Sequence, residues 1–270
     1  MFGALETPRQ MTETFVRADA TQAGSRQPIV GTTWLHPRFT LGSVNRGDFW
    51  KHRRPLLAYW GTKEAPRFFR ARFLKNDEDF SSALFFSVQH QGCVLAAVVL
   101  STDHGDTHPK LDPIRDHQIH ARNLRFALEF GGALGRATIG PAPTGGTAVL
   151  IQDDQLRLIF QPVADAFGSG RFRWESPDLT LARPLHAIAH QAEEPTAFDL
   201  RKLGEVFFCF TLCDWPYDAK QPPATAVQIA RVPGRLHARW TVAGKTLDLR
   251  VPTSPDSFAA MNDSFQGQVA

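Results

Sequence analysis

The densest group of ligand-forming side chains lies at 103–109, Asp-His-Gly-Asp-Thr-His-Pro, and continues with Asp112, Asp116, His117 and His120. In a loop leaving the apolar run 94–100, His104, Asp106 and His108 fall at i, i+2 and i+4. They project to one side and offer two imidazoles and a carboxylate, a three-ligand set of the kind that holds zinc. The spacing is neither H-E-x-x-H nor C-x-x-C, so two other readings stand beside it: a solvated loop of turn formers closed by Pro109, and a catalytic or sugar-contacting loop.

Segment 45–55, Asn-Arg-Gly-Asp-Phe-Trp-Lys-His-Arg-Arg-Pro, places Lys51, His52, Arg53 and Arg54 around an aromatic pair just before a strand-like run. A Trp50 face stacks on a pyranose ring while Arg53 or Arg54 pairs with its carboxylate or sulfate. In the competing reading Phe49 and Trp50 anchor the loop to the core and the cations are solvated. Downstream, Tyr59 is a hydroxyl that can move a proton if His52 or an arginine stands near it, with plain core packing as its alternative. The run 67–75 alternates: Arg70 and Arg72 share one strand face, and Phe69, Ala71 and Phe73 share the other. That basic face fits a polyanion, or else it is neutralised by Asp77, Glu78 and Asp79 close by. No nucleophile elbow, phosphate-binding loop or dinucleotide fingerprint is present.

The elements that must position these groups are strands. From residue 28 onward the sequence is short apolar or alternating runs broken by Gly, Pro, Asn and Asp, fifteen of them up to 251, with almost no sustained helical period. Gln-Asp-Asp-Gln at 152–155 and Gln-His-Gln-Gly at 89–92 sit at hairpin distance between such runs, with Gly92 available for a positive φ. Runs 225–232, 235–242 and 245–251, separated by Pro233-Gly234 and Ala243-Gly244-Lys245, read as an antiparallel meander. Runs 94–100 and 207–210 are apolar on both faces and therefore belong between two layers. The fold class expected is all-β, a large multi-stranded antiparallel β-sandwich of supersandwich type, with or without a third layer. The division expected is an N-terminal segment 1–27 with a short helix over about 8–20, in which Thr7 caps and Met11 and Phe15 lie one turn apart. A sandwich domain follows at 28–252, with a tail at 253–270.

Composition bounds the function. With 270 residues, 43% of them apolar and 21% charged, the chain is an ordinary globular one. Its formal charge of +3 is too mild to imply nucleic acid, and no apolar run approaches the ~20 residues of a membrane-spanning helix. The basic residues are 23 Arg against 7 Lys, a bias toward planar forks or a trait of genome composition. Cys93, Cys209 and Cys213 are an odd number in strand-like runs. No disulfide framework is expected from them, and no second pair completes a zinc set around Cys209 and Cys213. Residues 1–27 lack a cationic start followed by an apolar core, so the expected location is cytoplasmic if the chain is complete. It is periplasmic or extracellular if the chain belongs to a longer secreted protein.

Residues 28–60, with Gly-Thr-Thr-Trp-Leu-His-Pro at 31–37, Leu-Gly-Ser-Val-Asn-Arg-Gly-Asp-Phe-Trp at 41–50 and Arg-Arg-Pro-Leu-Leu-Ala-Tyr-Trp at 53–60, resemble the β-sandwich downstream of the (α/α) toroid in polysaccharide lyases of the heparinase II/III-like and alginate-lyase-like kinds. The resemblance is one of pattern and covers the sandwich alone. It implies an auxiliary, non-catalytic sandwich that binds or encloses an acidic polysaccharide beside an α-helical toroid domain or chain. Trp50, Arg53, Arg54, Arg70 and Arg72 are the expected sugar contacts. It further implies either no cofactor or a structural zinc or calcium, for which His104, Asp106 and His108 are the nominees. Two alternatives remain: a self-sufficient glycan lyase or hydrolase working through Tyr59 and His52, and a structural or interaction module.

Overall fold

The computed structural model describes residues 7–15, 28–50, 53–104, 114–135, 137–145, 147–175 and 184–270. Along the chain these form β1 (Arg9–Phe15), β2 (Ile29–Leu35), β3 (Phe39–Val44), β4 (Arg46–Asp48), β5 (Leu56–Gly61), β6 (Pro66–Lys75), β7 (Glu78–Asp79), β8 (Ala83–His90), β9 (Cys93–Leu100) and β10 (Gln118–Gly132). The second half supplies β11 (Thr138–Pro141), β12 (Val149–Gln152), β13 (Arg157–Phe167), β14 (Arg173–Glu175), β15 (Leu185–Asp199), β16 (Val206–Asp214), β17 (Val227–Val232), β18 (Arg235–Val242), β19 (Lys245–Pro252), α1 (Phe258–Ser264) and β20 (Gln266–Val269). None of the described helices is long and apolar enough to cross a membrane.

The strands make three antiparallel sheets. The large sheet has the order β1-β2-β3-β5-β6-β10-β15-β14 with β7 paired to β6, the middle sheet β11-β12-β13-β16-β9-β8-β4, and the small sheet β17-β18-β19-β20. The middle sheet explains the doubly apolar runs. On β9, Val94, Ala96, Val98 and Leu100 enter a core shared with the large sheet, while Leu95, Ala97 and Val99 enter a second core shared with the small sheet. On β16, Phe208 and Phe210 face the first core and Phe207 and Cys209 the second. A strand buried on both sides has no use for alternation, and these two have none. The first core is phenylalanine-rich, with Phe126 lying 5.3 Å from Phe208 and 5.1 Å from Phe210 between ring centres, tilted as aromatic quadrupoles prefer.

Turn chemistry follows the sequence at 152–155. Asp153 Oδ1 accepts from the backbone N–H groups of Gln155 and Leu156 at 2.8 and 2.9 Å, and β12 and β13 leave this Asx turn in register. The 89–92 hairpin differs from expectation. The positive φ falls on Gln91, at 51°, and Gly92 serves another need: a Cβ there would lie 2.1 Å from Asp214 Oδ1.

Three further features depart from the sequence reading. Residues 9–15, expected within a helix, are the edge strand β1, with Met11 opposite Thr33 and Phe15 opposite Ile29. The side chains at 9–14 are exposed, so no buried stripe rewards a helix, and the open edge of β2 templates a strand instead. The short helix is α1, near the C-terminus, where Ser257 caps the Ala260 N–H; residues 253–270 thus contribute α1, β20 and the buried Phe258, Met261 and Phe265 to the second core. Finally, Cys93 and Cys213 stand directly opposite each other on β9 and β16 and form a disulfide. The pairing is invisible in sequence because the partners are 120 residues apart.

Candidate anion-binding face

The large sheet has one face on the first core and one open. In β5, β6 and β10 the period of two sends Ala58, Phe69, Ala71, Phe73, Phe126 and Leu128 inward. It sends Leu57, Tyr59, Arg70, Arg72, Arg125 and Glu129 outward. Register then aligns Leu57 with Arg70 and Arg70 with Glu129 across three neighbouring strands.

The expected basic face exists, and most of its charge is clamped. Arg70 Nε donates to Glu129 Oε2 at 2.8 Å, Arg72 Nη1 to Glu129 Oε1 at 2.6 Å, and Arg72 Nε to Asp79 Oδ1 at 2.6 Å. Burial by itself would raise the Glu129 carboxyl, but the hydrogen bonds from Arg72 and Arg70 outweigh it and hold the group below the usual carboxylate range. Arg54 is placed differently. Its Nη1 donates to the Arg53 carbonyl at 2.7 Å, and among the described residues no carboxylate forms an ion pair with it. Burial and then the neighbouring Arg70 cation lower its pKa from the usual arginine value, with the Asp79 and Glu129 carboxylates opposing the shift.

Arg54 opens onto a groove of ≈370 Å³ along this face, lined also by Met11, Glu13, Thr33, Thr40, Leu57 and Tyr59. Tyr59 is 41% exposed with its ring 6.1 Å from that of Phe68, so an aromatic surface and a hydroxyl stand in the same groove as the cation. None of the described residues lining the groove is a histidine.

The remaining expected residues separate. Arg53 does not join Arg54; it pairs with the buried carboxylate of Asp48 at 2.5 Å and lies 5.4 Å over the Trp50 ring, so Trp50 and Arg53 brace their own loop. Phe49 is fully buried, edge-on to Phe85. His52 lies outside the described residues, as do Asp106 and His108. Of the nominated metal trio, His104 is described: its Nδ1 shares a 2.6 Å hydrogen bond with Ser81 Oγ, and its ring meets Phe80 edge-on. Nearby, Asp103 Oδ1 accepts from the Phe258 N–H at 2.6 Å, tying this loop to α1.

Sequence reasoning missed Glu129, Met11, Glu13, Thr33 and Thr40. Glu129 sits in an otherwise apolar run, and only the β6–β10 register shows what it answers. The groove wall from β1 could not be foreseen while 8–20 read as a helix. His186 was also missed; it lies in the same row as Arg72, two strands away, with its pKa lowered by burial and then by Arg125.

Comparison with protein-family models, with curated proteins and with solved structures finds no match for this chain.

Proposed function

We propose that this sandwich is an auxiliary, non-catalytic module that binds an acidic polysaccharide on the outer face of its large sheet, beside an α-helical toroid domain or chain. The observation that carries this reading is Arg54: a cation without a carboxylate partner among the described residues, in an open groove beside an exposed tyrosine. Around it, Arg70 and Arg72 are answered by Glu129 and Asp79, while Arg54 has no ion-pair partner among the described residues and Glu13 stands in the wall of the same groove. A uronate carboxylate or a sulfate ester supplies the missing counter-ion through a bidentate fork, Tyr59 offers a ring face to the sugar, and Thr33 and Thr40 offer hydroxyls. The resemblance of residues 28–60 to lyase sandwiches supports the same substrate class.

The test is affinity electrophoresis and calorimetry with a panel of uronate and sulfated polysaccharides, run together with ultraviolet detection of unsaturated uronate. Retardation without product is the expected result. A product formed by the chain alone would make Tyr59 a proton-transfer group and establish the lyase alternative. Silence in both assays would leave the interaction module.

A further inference from the structure

The three sheets converge on a second cleft, of ≈530 Å³, whose lining shares no residue with the groove at Arg54. Trp34, His36 and Arg38 from the β2–β3 hairpin line it, together with Gln91 of the β8–β9 hairpin, Trp215, and the ends of β9 and β16. Cys93 and Cys213 form part of its wall, and Asp214 follows directly.

The carboxylate of Asp214 is placed with care. Residue 92 is glycine, and the space its side chain would fill is taken by the Asp214 carboxyl. The Asp214 N–H donates to the Gly92 carbonyl at 3.0 Å, which locks the two segments together. Among the described residues no cation forms an ion pair with this carboxylate and no side chain donates to it. Sγ of Cys93, Sγ of Cys213 and a carboxylate oxygen of Asp214 lie within 4.8 Å of one another.

We propose that Cys93, Cys213 and Asp214 form a redox-gated site for a thiophilic divalent cation, zinc foremost, with the disulfide as its closed state. Two thiolates and a carboxylate are a borderline-soft donor set suited to zinc, whose bonds of about 2.0–2.3 Å need donors no more than about 4 Å apart. In the disulfide form the three donor atoms already lie within 4.8 Å of one another, and the cleft beside them has room for a fourth ligand. Opening the site is a thiol–disulfide exchange. A thiolate of a dithiol reductant attacks one cystine sulfur to give a mixed disulfide; its second thiol then displaces the protein sulfur. Two electrons pass to Cys93 and Cys213, and the reductant leaves as its own cyclic disulfide. Metal binding then releases the two thiol protons to solvent. The resulting set of three anionic ligands around a dication carries one negative charge, which Arg38 in the same cleft offsets.

The experiment uses the full chain, once as the disulfide and once after dithiothreitol reduction and desalting, titrated with cobalt(II) as a spectroscopic stand-in and with zinc against a chromophoric chelator. The expected result is one cobalt per reduced chain, with sulfur-to-cobalt charge-transfer absorption, and none for the oxidised chain. Asp214→Asn should weaken zinc binding by about tenfold or more. Cys209→Ser, which removes the buried thiol outside the cluster, should leave uptake unchanged. Equal uptake by both redox forms, charge transfer retained in the Cys93→Ser/Cys213→Ser double variant, or no uptake by the reduced chain would overturn the proposal. So would loss of near-ultraviolet dichroism on reduction that metal does not restore.

Discussion

Arg72 and Glu129, on adjacent strands of the large sheet, are joined by a 2.6 Å hydrogen bond, and Arg70 reaches the same carboxylate at 2.8 Å. One acidic side chain thereby holds both Arg70 and Arg72, whereas Arg54 has no carboxylate partner among the described residues.

Removing that clamp should separate stability from binding. Glu129→Gln leaves two half-buried guanidinium groups without their shared carboxylate and is expected to cost about 2–4 kcal/mol in urea denaturation. Because the Glu129 pKa is depressed in the folded state, its contribution is present above the unfolded carboxylate value and disappears as pH falls through the lower folded one. The variant should therefore be less stable than the parent at pH 7, and the two should converge in strong acid. Polysaccharide affinity should not fall, since Arg70 and Arg72 gain freedom to reach an anion.

Asp214 titrates with the opposite sign. Burial raises its carboxyl from 3.8 to about 6, so folding favours the protonated form. The native state is unpenalised below the unfolded value and loses stability as pH rises through about 6. Asp214→Asn, in the oxidised chain with a chelator present, should stabilise the protein at pH 8 by about 2–3 kcal/mol and change little at pH 3.5. Thermal melting across that range measures the difference.

Gly92 and Asp214 are coupled through space. A Cβ at residue 92 would sit 2.1 Å from Oδ1 and 2.5 Å from Cγ of Asp214, so Gly92→Ala should destabilise by about 1–3 kcal/mol. Combining it with Asp214→Ala, which empties that space, should recover most of the loss. The double-mutant cycle by urea denaturation would then show a coupling of about 1 kcal/mol or more.

Asp153 gathers more partners than any other turn residue described. Its carboxylate accepts from Trp60 Nε1 at 2.5 Å, from Arg67 Nη1 at 2.8 Å, and from two backbone N–H groups of its own turn. Asp153→Ala is expected to cost about 3–5 kcal/mol and to lower the melting temperature sharply, whereas Asp153→Asn, which keeps an acceptor oxygen, should cost less. Differential scanning calorimetry of the two variants checks the order.

Local interactions are legible in the amino-acid sequence, and long-range ones are not. The layer assignment of β9 and β16 was legible because unbroken apolar runs need two buried faces. The alternation of Arg70 and Arg72 with Phe69, Ala71 and Phe73 was legible because a strand side-chain period is always two. The answering residue Glu129 was not, since the register of β6 on β10 is set by packing 50 to 60 residues away. The same holds for the Cys93–Cys213 bond. Met11 and Phe15 misled because a spacing of four suits a helix turn, while strand pairing with β2 decided the outcome. Within segment 45–55 the residue types announced a cationic loop beside an aromatic pair, but only the fold distinguishes Arg53, paired with Asp48, from Arg54, which has no carboxylate partner among the described residues.

Anion binding at Arg54 is tested most directly by the affinity of Arg54→Gln for the best-retarded polysaccharide, measured by calorimetry beside the parent and beside Arg53→Gln. Arg54→Gln should lose at least about tenfold in affinity, the worth of a charge-assisted bidentate pair, with the fold intact by circular dichroism. Arg53→Gln should lose far less. Equal binding by parent and Arg54→Gln would rule out Arg54 as the anion contact.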